Sequence, residues 1–126
     1  MRPIVYDAGV LIAAERNDRR VWAEHRVRLE WGVVPLVPSV VIAQASRSPR
    51  QVQLRRMLKG CDVVALDEAS AHRVGLLLAR SRTRDVVDAI VVLLALDRGA
   101  DIATGDRVDI EQWVRTAGGR IALFSV

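Results

Sequence analysis

Short apolar runs alternate with longer amphipathic segments along the chain. Four runs have the length and composition of β-strands, at residues 4–6, 63–66, 101–104 and 121–124. Segments with helical spacing occupy residues 8–15, 19–30, 40–47, 49–59, 68–80, 85–98 and 108–116. This alternation predicts an α/β domain with a central, mostly parallel β-sheet flanked by α-helices.

Several local signals refine this prediction. The run at 63–66 has the continuous apolar character of a buried parallel strand. Pro35 and Pro38 are predicted to mark the connection into the third helix, with Ser39 as its N-cap. Ser48 and Pro49 are expected to begin the fourth helix.

The longest apolar stretch lies between Asp88 and Asp97 and is too short to be a membrane anchor. A membrane span needs about 20 residues, so this stretch is predicted to be a buried helix. No basic region followed by an apolar run begins the chain, and a cytoplasmic protein without membrane association is therefore expected.

Composition indicates a folded protein of one domain. The 126 residues, of which 51% are hydrophobic and 27% charged, fit a single domain spanning 1–126. The one cysteine excludes an internal disulfide and a thiolate metal cluster. The net charge of +4 and the many arginines are compatible with a nucleic-acid partner. A GC-rich coding sequence is the simpler explanation for the excess of arginine over lysine.

Five aspartates are expected to meet at one edge of the sheet. Asp7 follows the first strand and Asp106 follows the strand that ends at Thr104. The carboxyl ends of parallel strands lie at the same edge of a sheet. Asp85 and Asp88 share a helix face, and Asp106 and Asp109 repeat this spacing. Helix capping explains Asp85 and Asp109 equally well.

Such a cluster is chemically suited to a divalent metal ion. Carboxylates that lie together repel one another unless a cation compensates them, and an all-oxygen site suits Mg²⁺ or Mn²⁺. The ion would activate a water for attack on a phosphodiester. Without these five acids, ten acidic residues remain against nineteen basic ones. An acidic site within a basic surface favours a metal-dependent nuclease.

Three motifs resemble those of PIN-domain ribonucleases, specifically the VapC-type toxins of type II toxin–antitoxin pairs. The motifs are VYDAGVLIAAE near the start, TRDVVDAIVVLLAL in the centre and ATGDRVDI near the end. Their order and spacing fit this family over essentially the whole chain. The resemblance implies a PIN-like fold, with a mostly parallel sheet flanked by helices.

The resemblance also implies an activity and its residues. Asp7, Asp88 and Asp106 would be the catalytic, metal-binding acids, and Asp85, Asp109 and Thr104 would support them. The reaction would be Mg²⁺- or Mn²⁺-dependent endonucleolytic cleavage of RNA. A VapB-type antitoxin would cover the site, and the chain would form a homodimer.

One position departs from the family pattern. Gln44 occupies the place where the family has a glutamate in the third helix, so one negative ligand would be weakened. Asp85 is the candidate to compensate, whereas Glu15 lies two helical turns beyond Asp7 and is a poor substitute. An alternative function is therefore a catalytically weakened PIN-fold module that binds RNA or an antitoxin without cleaving.

The remaining candidates have weaker signals. Arg80, Arg82 and Arg84 form a basic connection that is either an RNA contact or a solvated loop. The resemblance makes Trp22 and Trp31 candidate antitoxin contacts. His25 and His72 lie at apolar helical positions and are expected to be partly buried structural residues. No G-x-G-x-x-G or P-loop motif supports nucleotide binding.

Overall fold

The computed structural model of the chain describes residues 1–81, 85–119 and 121–126. Its five strands are β1 (Ile4–Tyr6), β2 (Leu36–Pro38), β3 (Asp62–Val64), β4 (Asp101–Thr104) and β5 (Leu123–Ser125). The helices of these described ranges are α1 (Ala8–Glu15), α2 (Arg19–Glu30), α3 (Ser39–Ala45), α4 (Val52–Leu58), α5 (Glu68–Arg80), α6 (Val86–Arg98) and α7 (Arg107–Ala117).

The strands form one parallel sheet with the order β3-β2-β1-β4-β5. The chain starts in the centre, proceeds outward through β2 to β3, and then crosses back to β4 and β5. Right-handed crossovers consequently bring α1–α4 to one face of the sheet and α5–α7 to the other. Helix α1 packs against α2, α3 and α4, while α6 packs against α5 and α7. The predicted α/β architecture with a parallel sheet is confirmed.

The core lies on both sides of the central strands. All three residues of β1 and all four of β4 are buried. Helix α6 packs on this pair and buries Ala89, Ile90, Val91, Val92 and Ala95, as its apolar sequence predicts. This packing fixes the position of the first turn of α6 relative to the carboxyl ends of β1 and β4.

The connection predicted around Pro35 and Pro38 is wrong, because this segment contains the strand β2. All three residues of β2 are buried, and β2 pairs with β1 and β3. A proline is tolerated here because Pro38 is the last residue of the strand and the cap of α3. Ser39 is the first residue of α3 rather than its N-cap.

Strand β3 is less buried than its apolar sequence suggests. It is an edge strand paired only with β2, so Asp62 and Val63 are exposed. It also begins one residue earlier than predicted and ends at Val64. The apolar run predicts a buried strand, but an edge strand lacks a neighbouring strand on one side and is therefore less covered.

Other element boundaries differ locally. Helix α4 begins at Val52 rather than at Pro49, because the side chain of Gln51 accepts hydrogen bonds from the amides of Arg47 and Ser48. Strand β5 begins two residues later than predicted. His72 is exposed and faces Glu68 on the same helix, so its predicted partial burial is wrong.

No helix in residues 1–81, 85–119 and 121–126 combines the length and apolar character that a membrane crossing requires.

Candidate metal centre

A cleft of about 300 Å³ opens at the carboxyl ends of β1 and β4. Its lining combines the start of α1, the start of α6, the loop after β4 and one residue of α3. The lining residues are Asp7, Ala8, Gly9, Gln44, Asp85, Asp88, Gly105 and Asp106. Four of the five predicted aspartates therefore lie around one cleft, and the fifth, Asp109, lies beside Asp106 in the first turn of α7.

Asp7 is buried and held by two hydrogen bonds. One carboxylate oxygen accepts from the amide of Ala8 at 2.8 Å, which caps α1. The other accepts from the hydroxyl of Thr104 at 2.7 Å. The Thr104 hydroxyl oxygen in turn accepts from the amide of Asp106 at 2.9 Å. This chain of contacts ties the end of β1 to the loop after β4 and fixes the Asp7 carboxylate.

Asp85 caps helix α6, as the structural alternative for this residue predicts. Its carboxylate accepts a hydrogen bond from the amide of Asp88 at 3.0 Å. Asp85 also lines the cleft, so capping and a place in the acidic cluster occur together. The cap holds the first turn of α6, and the buried side chain of Asp88 is presented to the other acids from that turn.

Three carboxylates come close enough to share a metal ion. Oxygen atoms of Asp88, Asp106 and Asp109 lie within 4.8 Å of one another. Asp106 occupies the N-cap position of α7 but makes no capping hydrogen bond with its side chain. Capping therefore does not account for Asp106. Asp109 belongs to this closest group, whereas Asp7 lines the same cleft but is not part of the group.

Burial and mutual repulsion raise the pKa values of these acids. Burial, followed by the charges of Asp85, Asp7, Asp106 and Asp109, raises the pKa of Asp88 to about 7. Burial is also the main cause that raises the pKa of Asp7. The charge of Asp106 raises the pKa of exposed Asp109. Unfavourable interactions of this kind are typical of sites that act on a substrate or a cation.

The donor set fits a hard divalent cation. Every charged ligand in the cleft is a carboxylate, and carboxylate oxygens are the ligands that Mg²⁺ and Mn²⁺ prefer. A positive ion would also remove the repulsion that raises the Asp88 pKa. The chemistry of the residues present is therefore consistent with a metal ion in this cleft.

Gln44 faces the cleft from α3, and Glu15 does not. The Gln44 side chain is exposed and offers a neutral amide where the family resemblance predicts a carboxylate. The Glu15 carboxylate instead accepts a hydrogen bond from the amide of Leu54 at 2.7 Å, in the first turn of α4. Glu15 thus has a structural partner on another helix, in agreement with its low rank as a substitute ligand.

Two glycines that were not predicted as site residues, Gly9 and Gly105, let the cleft form. A Cβ atom at Gly9 would lie 2.8 Å from the amide nitrogen of Gly105, closer than a side-chain carbon tolerates. The start of α1 therefore approaches the loop after β4 more closely than any other residue at position 9 allows. Their positions in the motifs DAG and TGD were the available signal.

The other described candidate residues lie outside the lining of the acidic cleft. Arg80 is exposed at the end of α5, whereas Arg82 and Arg84 lie outside the described residues. Trp22 is half-buried and donates a hydrogen bond to the Ala14 carbonyl, while Trp31 is 71% exposed. His25 is buried and structural, as predicted.

Comparisons with known proteins reveal similarity of fold. No protein-family model and no curated protein sequence matches the chain. A chain of the VapBC2 complex from Rickettsia felis, solved with a DNA fragment from its promoter, superposes with a TM-score of 0.69 at 12% identity, over 98% of each chain. A domain of a functionally unknown protein from Methanocaldococcus jannaschii gives a TM-score of 0.54 at 14% identity, covering 100% of this chain and 91% of that one. At these identities the comparisons establish the α/β fold.

Proposed function

We propose that the chain is a metal-dependent endoribonuclease of the PIN-domain type and acts as the toxin of a type II toxin–antitoxin pair. The observation that carries this proposal is the convergence of five aspartates, from three separate segments, at one edge of the sheet. The fold likeness to a chain of the Rickettsia felis VapBC2 complex supports the toxin–antitoxin role.

Asp88, Asp106 and Asp109 are the residues best arranged to hold Mg²⁺ or Mn²⁺, with Asp7 as a further ligand from the same cleft. When bound, the ion supplies a water of lowered pKa and offsets charge on the phosphodiester oxygens. The site is accessible to a backbone phosphate because Asp106 and Asp109 are exposed.

The protein's own contribution is to hold these acids in place before substrate arrives. Thr104 fixes the carboxylate of Asp7, and the Asp106 amide fixes the hydroxyl of Thr104. Asp85 holds the turn that carries Asp88. Preorganised groups of this kind lose little entropy when a reaction proceeds, which is how a protein lowers a barrier.

The proposed partners follow from this activity. RNA is the substrate, and a VapB-type antitoxin would cover the acidic cleft in the resting cell, where both would be cytoplasmic. A homodimer is proposed from the family resemblance. The likeness to a chain of the VapBC2 complex supports the antitoxin partnership.

A second function is favoured by one observation, the neutral Gln44 in the cleft. With one carboxylate fewer than the family pattern, the site would bind a divalent ion more weakly. The chain would then be a PIN-fold module that binds RNA or an antitoxin without cleaving. The two functions share a fold and differ in the affinity of the metal site.

The decisive experiment is cleavage of a mixed pool of structured RNAs in the presence of Mg²⁺ or Mn²⁺. We expect cleavage by the wild type, no cleavage in EDTA, and a loss of roughly 100-fold or more in Asp106→Asn, because metal catalysis supplies several kcal/mol. The Asp106 side chain makes no capping hydrogen bond, so this variant keeps its fold. Asp7→Asn should lose activity as well.

The matched control is Asp62→Asn, which removes an exposed carboxylate from β3, outside the cleft. It should cleave like the wild type. Equal losses in Asp62→Asn and Asp106→Asn would contradict the proposed site. A folded wild type that binds RNA and Mn²⁺ without cleaving would favour the weakened module.

A further inference from the structure

A second groove, of about 530 Å³, lies between α2 and α4 on the α1–α4 face of the sheet. It is lined by the cations of Arg26, Arg56 and Lys59, together with Trp22 and His25. No carboxylate is among the lining residues that the structure describes. The groove is therefore opposite in charge to the acidic cleft.

Its cations are available to a ligand. Within the described part of the chain, Arg26, Arg56 and Lys59 form no salt bridge, although six such bridges engage other basic residues. Arg56 lies over the Trp22 ring at 4.9 Å, which orients its guanidinium without neutralising it. All three side chains are exposed.

A buried histidine, His25, forms part of the floor of this groove. The Tyr6 hydroxyl lies 2.8 Å from Nδ1 of His25 and accepts a hydrogen bond from Arg28. Burial raises the pKa of Tyr6 to about 12, so its hydroxyl stays protonated beside Nδ1. Burial and the Arg28 charge lower the pKa of His25, which favours its neutral form.

Gly60 lies against the His25 ring at one end of the groove. A Cβ atom at position 60 would lie 3.1 Å from Nε2 of His25 and 3.1 Å from a Leu29 methyl carbon. Gly60, His25 and Leu29 all line the groove. A side chain at position 60 would therefore crowd the His25 ring and the Leu29 side chain at this end of the groove.

We propose that this groove, defined by Arg26, Arg56 and Lys59, binds the phosphate backbone of the RNA substrate as a site separate from the acidic cleft. Arginine and lysine neutralise phosphates, and arginine can do so with two parallel hydrogen bonds. This inference rests on the proposed ribonuclease function.

The charge of the acidic cleft favours RNA over an acidic peptide as the occupant. Five carboxylates at the proposed cutting site repel a polyanion, so binding free energy for RNA must come from elsewhere on the surface. An antitoxin has no such requirement, because its contacts can neutralise the cleft directly. The groove offers three exposed cations that form no salt bridge among the described residues, which meets the requirement of RNA.

The test measures RNA binding apart from cleavage. A labelled single-stranded RNA of mixed sequence is titrated in EDTA by fluorescence anisotropy, over about 50 to 200 mM salt. The protein carries Asp106→Asn, alone or with Arg26→Gln and Lys59→Gln. We expect the groove substitutions to weaken binding roughly tenfold and to reduce the slope of log K against log salt by about 1.4, since each phosphate contact on a single strand contributes about 0.7.

The matched control removes two exposed cations from the opposite face of the sheet, by Arg98→Gln and Arg115→Gln on α6 and α7. It changes the net charge equally and should lose at most about twofold in affinity. Equal losses in both double variants would overturn the proposal, because binding would then follow net charge alone. An unchanged groove variant would also overturn it.

A labelled poly-glutamate serves as the competing ligand. Groove-dependent binding of poly-glutamate that is tighter than that of RNA would overturn the proposal and assign the groove to an acidic protein segment. Failure of the ribonuclease function is a separate result, seen as absent cleavage with Mn²⁺. Groove-dependent RNA binding in EDTA is independent of that outcome.

Discussion

Two neighbouring residues at the end of β1 lead to two very different polar clusters. Tyr6 belongs to a network in which its hydroxyl accepts a hydrogen bond from Arg28 and shares another with Nδ1 of His25. Asp7 belongs to the acidic cleft, where it receives hydrogen bonds from Ala8 and Thr104 but is surrounded by further carboxylates. In the Tyr6 network donors are matched with acceptors, whereas the acidic cleft brings several negative charges together.

The two clusters therefore differ in their effect on the stability of the fold. Buried polar groups in matched networks cost little and specify one packing arrangement, so the Tyr6 network stabilises the fold. Like charges brought together reduce stability unless a ligand neutralises them. The acidic cleft is therefore consistent with the proposed cation site. Removing a polar group should destabilise the Tyr6 network, whereas removing a carboxylate should stabilise the acidic cleft.

The largest loss of stability is expected from a substitution that displaces the backbone beneath the acidic cleft. In Gly9→Ala the new Cβ would meet the Gly105 amide nitrogen at 2.8 Å, so α1 and the loop after β4 must separate. We expect a loss of about 3 kcal/mol in the free energy of unfolding, measured by urea denaturation, and loss of RNA cleavage.

The matched control for this prediction is Gly105→Ala. A Cβ atom there would meet the Cα of Gly9 at 3.5 Å, an ordinary contact distance. This variant should lose less than about 1 kcal/mol. Similar losses in the two variants would show that the close approach of Gly9 to Gly105 is not the reason why position 9 requires glycine.

The next effect concerns the matched network. Tyr6→Phe removes the hydroxyl, leaving Nδ1 of His25 and one Arg28 N–H without their buried partner. We expect a loss of about 2 kcal/mol in the free energy of unfolding at pH 7. Glu68→Gln, which weakens the exposed contact with His72, is the control and should change stability by less than about 0.5 kcal/mol.

A change of opposite sign is expected in the acidic cleft. The pKa of Asp88 is raised from 3.8 to about 7, so the folded state loses stability as pH rises through this range. In EDTA at pH 8, Asp88→Asn should therefore be more stable than the wild type. Because water screens part of the repulsion, the gain is about 1 to 2 kcal/mol. At pH 4 the two proteins should unfold alike.

Metal ions should reverse this order. Saturating Mn²⁺ at pH 8 stabilises whichever protein binds it better, and the wild type keeps the full set of carboxylates. Thermal unfolding of both proteins, with EDTA and with Mn²⁺, checks the reversal. A wild type that stays less stable than Asp88→Asn in both conditions would contradict a metal site at Asp88.

How far the sequence predicts this molecule can be seen at particular residues. The alternation of apolar runs predicts the parallel sheet, and the strand ends at Asp7 and Thr104 predict the acidic edge, because burial leaves a clear pattern. The strand β2 escapes detection since two prolines frame its short apolar core. Proline usually indicates a turn, and here tertiary pairing with β1 and β3 overrides that tendency.

Contacts between distant segments are harder to predict. Nothing local in the sequence indicates that Glu15 caps α4 or that Gly9 lies against Gly105, because both depend on how separate elements pack. The Tyr6–His25–Arg28 network is also invisible until α2 is placed on the sheet. Sequence spacing thus predicts which acids converge, and packing decides which of them come closest.

The smallest change in stability is expected from a substitution at Gln44, the position of the acidic cleft that departs from the family pattern. Gln44→Glu adds a carboxylate at an exposed position of the cleft lining, so we expect a loss of only a few tenths of a kcal/mol in EDTA. The added charge should tighten Mn²⁺ binding about tenfold, measured by titration calorimetry. Gln53→Glu on α4 is the control and should leave Mn²⁺ affinity unchanged.

If Gln44→Glu binds Mn²⁺ no better than the wild type, Asp85 already compensates for the missing charge. Faster RNA cleavage together with tighter Mn²⁺ binding would instead identify Gln44 as the residue that limits the metal site.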